Sequence, residues 1–201
     1  MLRIALAEAY RTLGRERLIE GSAGNVSART PTGMLLSPTR TTPEQITPEA
    51  LVAMSLVSPA PGASSEWFFH AAIYQDRPEV HAIVHTHSDH CTALACLNQP
   101  LPAFHYMVGT FGGDDVRCAP YVTFGTPMLA TLAVEALRSR TACLLANHGM
   151  IVTGSTIGKA LAAARLLEQL ARQYLLGLAA GTPRILTASE MDEAHERFRS
   201  Y

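Results

Sequence analysis

The sequence predicts a mixed fold of the α/β or α+β class, with helices and short strands interleaved along one chain. Three observations predict it. Segments with apolar residues at three- and four-residue spacing recur between short apolar or β-branched runs. Clusters of Gly, Pro, Ser and Thr separate the two kinds of segment. No stretch repeats at a fixed period, which excludes solenoids and propellers. At 201 residues, 48% of them apolar, the chain is long enough for one well-cored domain spanning 1–201.

Residues 2–20 place Ile4, Leu6, Ala7, Leu13 and Leu18 among charges, as an amphipathic helix does. "GSAGNVSART" (21–30) ends it at Gly21 and continues as a polar run through Asn25-Val26-Ser27. Strands are expected around 34–37 and 51–54, with a proline- and threonine-rich loop between them. "SPAPG" (58–62) breaks the chain again. "SSEWFFHAAIYQDRP" then reads as a helix capped by Ser64 or Ser65 and closed before Pro78. A strand at 82–87, a helix at 88–97 and a short strand near 116–119 follow. Thr126 and Pro127 open a further helix. "ACLLANHGMIVTG" holds two strands broken at His148-Gly149; a long helix follows "STIGK", and a last one covers 189–198.

The net charge of −1 points to neither nucleic acid nor an acidic membrane face as partner. Cys91, Cys96, Cys118 and Cys143 form no C-x-x-C pair, so the expectation is free thiols in a cytoplasmic protein. Glu8 lies within the apolar part of the opening segment, which argues against a signal peptide. Lys159 is the sole lysine and sits at the start of a long helix, which disfavours Schiff-base chemistry.

The chemistry-bearing stretch is "AIVHTHSDHC" (82–91). Alternation along a strand sends His85 and His87 to the same face, where two imidazoles can share one metal ion. Such a pair is also found as ordinary surface or core histidines, and spacing alone leaves both readings open. His148, beside Gly149 in a strand break, is a candidate third ligand, with Gly149 expected to let the backbone turn sharply. Glu66, in the first turn of its helix, is the fourth, its carboxylate near the positive end of the helix dipole. His70, His81, His90, His105 and His195 are assigned to packing or solvent, His90 being the one near enough to support the site.

Taken together, "GSAGNVSAR", "GMLLSPT", "SSEWFFHAAIYQDRP", "AIVHTHSDHCTALACLNQPLPAFHYM", "CAPYVTFGT" and "LLANHG" resemble the class II aldolase and adducin family almost end to end, in order and separation. The resemblance implies a three-layer α/β/α fold with a central, mostly antiparallel sheet, assembled as a homotetramer with sites at subunit interfaces. It implies one Zn²⁺ per subunit held by His85, His87 and His148, with Glu66 as the catalytic carboxylate able also to approach the metal. Phosphate contacts fall on Gly24, Asn25, Thr39, Ser64 and Ser65. Tyr106 matches a tyrosine that reaches a neighbouring subunit's site, and Tyr201 one near the site mouth.

The implied reaction is cleavage of a ketose 1-phosphate, such as L-fuculose 1-phosphate, to dihydroxyacetone phosphate and an aldehyde such as L-lactaldehyde. Zinc would stabilise the enediolate. Relatives of the same fold include a sugar-phosphate epimerase, a decarboxylase and a dehydratase, and the non-catalytic adducin scaffold; "HYMVGTFGG" leans toward the aldolases. One departure stands out. Where the family has Thr-Gly, this chain has Thr39-Arg40, and Arg40 either donates to the phosphate or reshapes its pocket.

Overall fold

The computed structural model describes residues 1–200, so the expectation placed on Tyr201 lies outside the described residues. In chain order the elements are α1 (Leu2–Arg15), β1 (Gly24–Thr30), β2 (Gly33–Leu36), β3 (Val52–Met54), α2 (Trp67–Asp76), β4 (Ala82–Thr86), α3 (Asp89–Cys96) and β5 (Leu101–Pro102). A 3-10 helix (Tyr106–Phe111) precedes β6 (Asp115–Val116), β7 (Cys118–Ala119), α4 (Pro127–Ala136), β8 (Ala142–Leu145), β9 (Gly149–Gly154), α5 (Ile157–Ala180) and α6 (Ala188–Arg199).

Seven strands form a sheet of order β3-β2-β1-β4-β9-β8-β7, while β5 and β6 pair separately. Neighbours in the large sheet run antiparallel except β7 and β8, as the family resemblance implies. Alternation splits its side chains between two apolar layers. Val26, Ala28, Ala82, Val84, Met150 and Val152 face α1, α3 and α5. Met34, Leu36, Ile83, Cys143 and Ile151 face α2 and α4. The result is helix, sheet and helix in three layers. No helix among the described residues is long and apolar enough to cross a membrane.

Four expectations are corrected. First, α1 stops at Arg15 rather than 20: Arg17 adopts a left-handed φ of 59°, and the turn swings Leu18 and Ile19 into the core. Second, the polar run at 25–27 belongs to a central strand. Asn25 and Ser27 are buried on the α2 side of β1, so its alternation is apolar against buried polar. Third, the single strand near 116–119 is two, in different sheets. Fourth, the residue capping α2 is Glu66; Ser64 and Ser65 precede the helix, and Ser64 Oγ accepts the Glu66 N–H at 3.3 Å.

Two charged side chains fix the elements around the site. Arg29, at the end of β1, donates to the carbonyls of Tyr74, Arg77 and Val80 at 2.6–2.9 Å. It thereby satisfies carbonyls that the last turn of α2 leaves open. Glu168 of α5 accepts the N–H groups of His90 and Cys91, each at 2.9 Å, at the start of α3. Burial alone would raise the pKa of Glu168; these bonds outweigh it and hold it low. His90 Nδ1 also reaches Glu168, at 2.7 Å, so His90 belongs to the α3–α5 contact.

Candidate metal centre and adjoining cavity

Strand β4 ends at Thr86, and His87 follows it directly. The i, i+2 relation nevertheless holds: the two Nε2 atoms of His85 and His87 lie 3.0 Å apart. His148 arrives from the turn between β8 and β9, the latter being the strand next to β4 in the sheet. Its ring centroid lies 4.8 Å from those of both His85 and His87, which are 4.9 Å from each other. Three rings set edge-on at nearly equal spacings surround one point. Glu66, from the start of α2, completes the group, with Oε2 3.2 Å from His85 Nε2 and Oε1 3.0 Å from His148 Nε2. One ligand atom from each of the four lies within 4.8 Å of the rest.

The backbone explains how His148 gets there. Asn147, not Gly149, takes the left-handed conformation of the turn, with φ 53°. Gly149 serves a different need, because β4 and β9 approach so closely that any Cβ there would overlap the Thr86 carbonyl and press His87 Cδ2 at 3.0 Å. Gly149→Ala is expected to cost about 1–3 kcal/mol through this overpacking and to displace His87. Urea denaturation and metal titration of the variant measure the two effects.

The tautomers follow from the hydrogen bonds. His85 is fully buried, and its Nδ1 donates to the Met150 carbonyl at 2.9 Å. Its Nε2 therefore offers a lone pair toward His87 and Glu66. Burial, with His85 and His148 close by, holds His87 neutral, at a pKa of about 3. Burial would raise the pKa of Glu66, but positive charge at His85 and His148, or on a cation held in its place, outweighs burial and lowers it. Glu66 Oε1 is buried without a hydrogen-bond donor. Converging imidazole lone pairs beside an unsatisfied carboxylate oxygen fit a divalent cation, and three nitrogens with one oxygen form a donor set suited to zinc.

Beside this group opens a cavity of about 430 Å³. Gly24, Asn25, Thr39, Arg40, Ser64 and Ser65 all line it together with Glu66, His87 and His148, so the six expected phosphate residues share one space with every expected ligand except the fully buried His85. Tyr121, Val122 and Phe124 form an apolar side that the sequence reading did not assign. Tyr106 is not brought into this space. It is exposed on the 3-10 helix and stacks between His105 and Phe198. A larger cleft beside α5 contains two ion pairs, Arg165 with Glu16 and Glu168 with His90, and none of the expected site residues.

His70 is the chief residue the sequence reading passed over. It is completely buried, and it bonds Ser27 Oγ at 2.7 Å through Nδ1 and Asn25 Oδ1 through Nε2. Asn25 Nδ2 in turn donates to Glu66 Oε2 at 2.9 Å and to Ser64 Oγ at 3.3 Å. Burial, with His85 nearby, lowers the His70 pKa to about 3, so the ring is neutral. A signal for it exists in the sequence: Glu66 and His70 are four apart at a helix start, and therefore on one face.

A family model described as "Class II Aldolase and Adducin N-terminal domain" matches residues 4–175. The chain is 43% identical over 203 aligned residues to the 5-methylthioribulose-1-phosphate/5-deoxyribulose-1-phosphate aldolase of Rhodospirillum rubrum, covering 100% of this chain and 92% of that protein. It is also 43% identical over 188 residues to an L-fuculose phosphate aldolase of Escherichia coli, covering 92% of this chain and 87% of that protein. A solved structure of an L-fuculose 1-phosphate aldolase superposes with a TM-score of 0.92 at 34% identity, covering 98% of this chain and 95% of that one.

Proposed function

The chain belongs to the class II aldolase and adducin family, and from that premise we propose that it is a zinc-dependent lyase splitting a 1-phosphorylated ketose into dihydroxyacetone phosphate and an aldehyde. The observation that carries this reading is the convergence of three imidazoles and Glu66 on one point beside a polar cavity. A non-catalytic scaffold has no use for such a centre.

Each residue has a task in this reading. His85, His87 and His148 would hold one Zn²⁺ per subunit, and an ion bound there would supply positive charge for the negative charge that develops on the substrate's oxygens. Glu66, ionised and buried, moves the proton at the donor carbon next to the carbonyl. Gly24, Thr39, Ser64 and Ser65 bind the phosphate through small side chains, hydroxyls and backbone N–H groups at the start of α2. Asn25 stands between them and Glu66. Tyr106 of a second copy gives a proton to the aldehyde oxygen in the addition direction, a task that presupposes the homotetramer.

Arg40 adds a charge where the family has glycine. It keeps the left-handed backbone, at φ 57°, which costs a non-glycine residue about 1–2 kcal/mol. Among the described residues it is the one arginine or lysine lining the cavity, and its guanidinium makes no hydrogen bond there. Such strain is retained where function needs it, and we assign Arg40 to the substrate phosphate. Arg40→Ala is expected to raise KM about 10–100-fold, as loss of a charged hydrogen bond does, with kcat less affected. Steady-state kinetics with and without added salt check this.

Tyr121, Val122 and Phe124 suit an apolar end on the aldehyde half. L-fuculose, 5-deoxyribulose and 5-methylthioribulose 1-phosphates all carry one. Zinc analysis by mass spectrometry, followed by assays on these three, tests the proposal. Dihydroxyacetone phosphate is the expected product; an epimer, carbon dioxide or a dehydrated sugar would replace the aldolase reading by one of its relatives.

A further inference from the structure

We infer that His70 is a positioning residue which, through Asn25, fixes how Glu66 is presented to the substrate. The inference rests on the aldolase reading for what Glu66 does. Its geometry stands on its own.

The donors can be assigned in order from the carboxylate outward. Asn25 Nδ2 donates to Glu66 Oε2 at 2.9 Å and to Ser64 Oγ at 3.3 Å, so its NH₂ group faces the carboxylate. Its Oδ1 then faces His70, and His70 must carry its proton on Nε2. The neutral ring accepts at Nδ1, so the Ser27 hydroxyl donates to it. Ser27 Oγ is then free to accept from the Tyr74 hydroxyl, 2.8 Å away. Every proton points the same way, from Tyr74 toward Glu66.

The opposite tautomer breaks this order. With its proton on Nδ1, His70 would present a lone pair to Asn25, which would turn its carbonyl toward Glu66. Two acceptors would then face each other in a buried space, and Oε2 would lose its donor. Tyr74 and Ser27 thus set the ring, the ring sets the carboxamide, and the carboxamide holds Oε2 while Oε1 remains without a hydrogen-bond donor. Arg29 anchors the far end, lying 4.7 Å over the Tyr74 ring.

Two amide substitutions separate this role from packing. In His70→Asn the side-chain amide sits near the former Nδ1 and keeps Ser27 but not Asn25. In His70→Gln it reaches toward the former Nε2 and keeps Asn25. His70→Asn is expected to lower kcat for cleavage and for hydrogen exchange at the donor carbon of dihydroxyacetone phosphate in D₂O by about 10–100-fold. Zinc content should stay at one per subunit, and His70→Gln should recover much of the loss. Ser27→Ala, which removes the donor to Nδ1, should fall the same way by less. Equal losses in His70→Asn and His70→Gln, tracking their melting temperatures, would overturn the inference, as would unchanged exchange in His70→Asn. Glu66→Gln is assayed in parallel. Exchange intact there removes Glu66 as the base and with it the premise of the inference; exchange lost there but normal in His70→Asn removes only the role of His70.

Discussion

His148→Ala is expected to empty the metal centre and abolish cleavage together. The remaining donors, His85, His87 and Glu66, come from β4 and the α2 start, and nothing then closes the side occupied by the β8–β9 turn. If the ion contributes about 4 kcal/mol to the barrier, activity falls about a thousandfold. The fold should survive, because His148 is a turn residue outside both apolar layers. Zinc analysis, circular dichroism and product assay on one preparation check all three points. Full activity in a zinc-free variant would end the metal account.

Glu66→Gln separates metal from base. The imidazoles remain, so zinc should be retained near one per subunit, while loss of a positioned carboxylate should slow donor-carbon exchange by about 10²–10⁴-fold. The discriminating readout is exchange into dihydroxyacetone phosphate alone, which needs no aldehyde and so bypasses Tyr106 and the second copy. A variant that exchanges at the normal rate while holding zinc would move the base elsewhere in the cavity.

The elements most legible in the sequence were those whose pattern is local. The Thr126-Pro127 start of α4, the long α5 and the HTH pair following three apolar residues each follow from a short window of chain. Strand β1 escaped because its buried face is polar: Asn25 and Ser27 look like loop residues until α2 supplies partners for them. His70 escaped for the same reason, since a histidine in an apolar helix reads as packing unless its partners on β1 are known. The role of Gly149 was misread too. The sequence reveals a glycine next to a histidine, but only the pairing of β4 with β9 reveals that the backbones leave no room for a methyl group. The family resemblance, in contrast, named the four residues of the centre, because their order and separations are carried in the chain itself.

The β4–β9 pairing joins residues 82–86 to residues 150–154, and it is this long-range contact that brings the His148 turn over the other two rings. On a ribosome, the first three donors emerge well before the fourth. A metal ion that needs all four donors would therefore bind only once β9 has paired with β4.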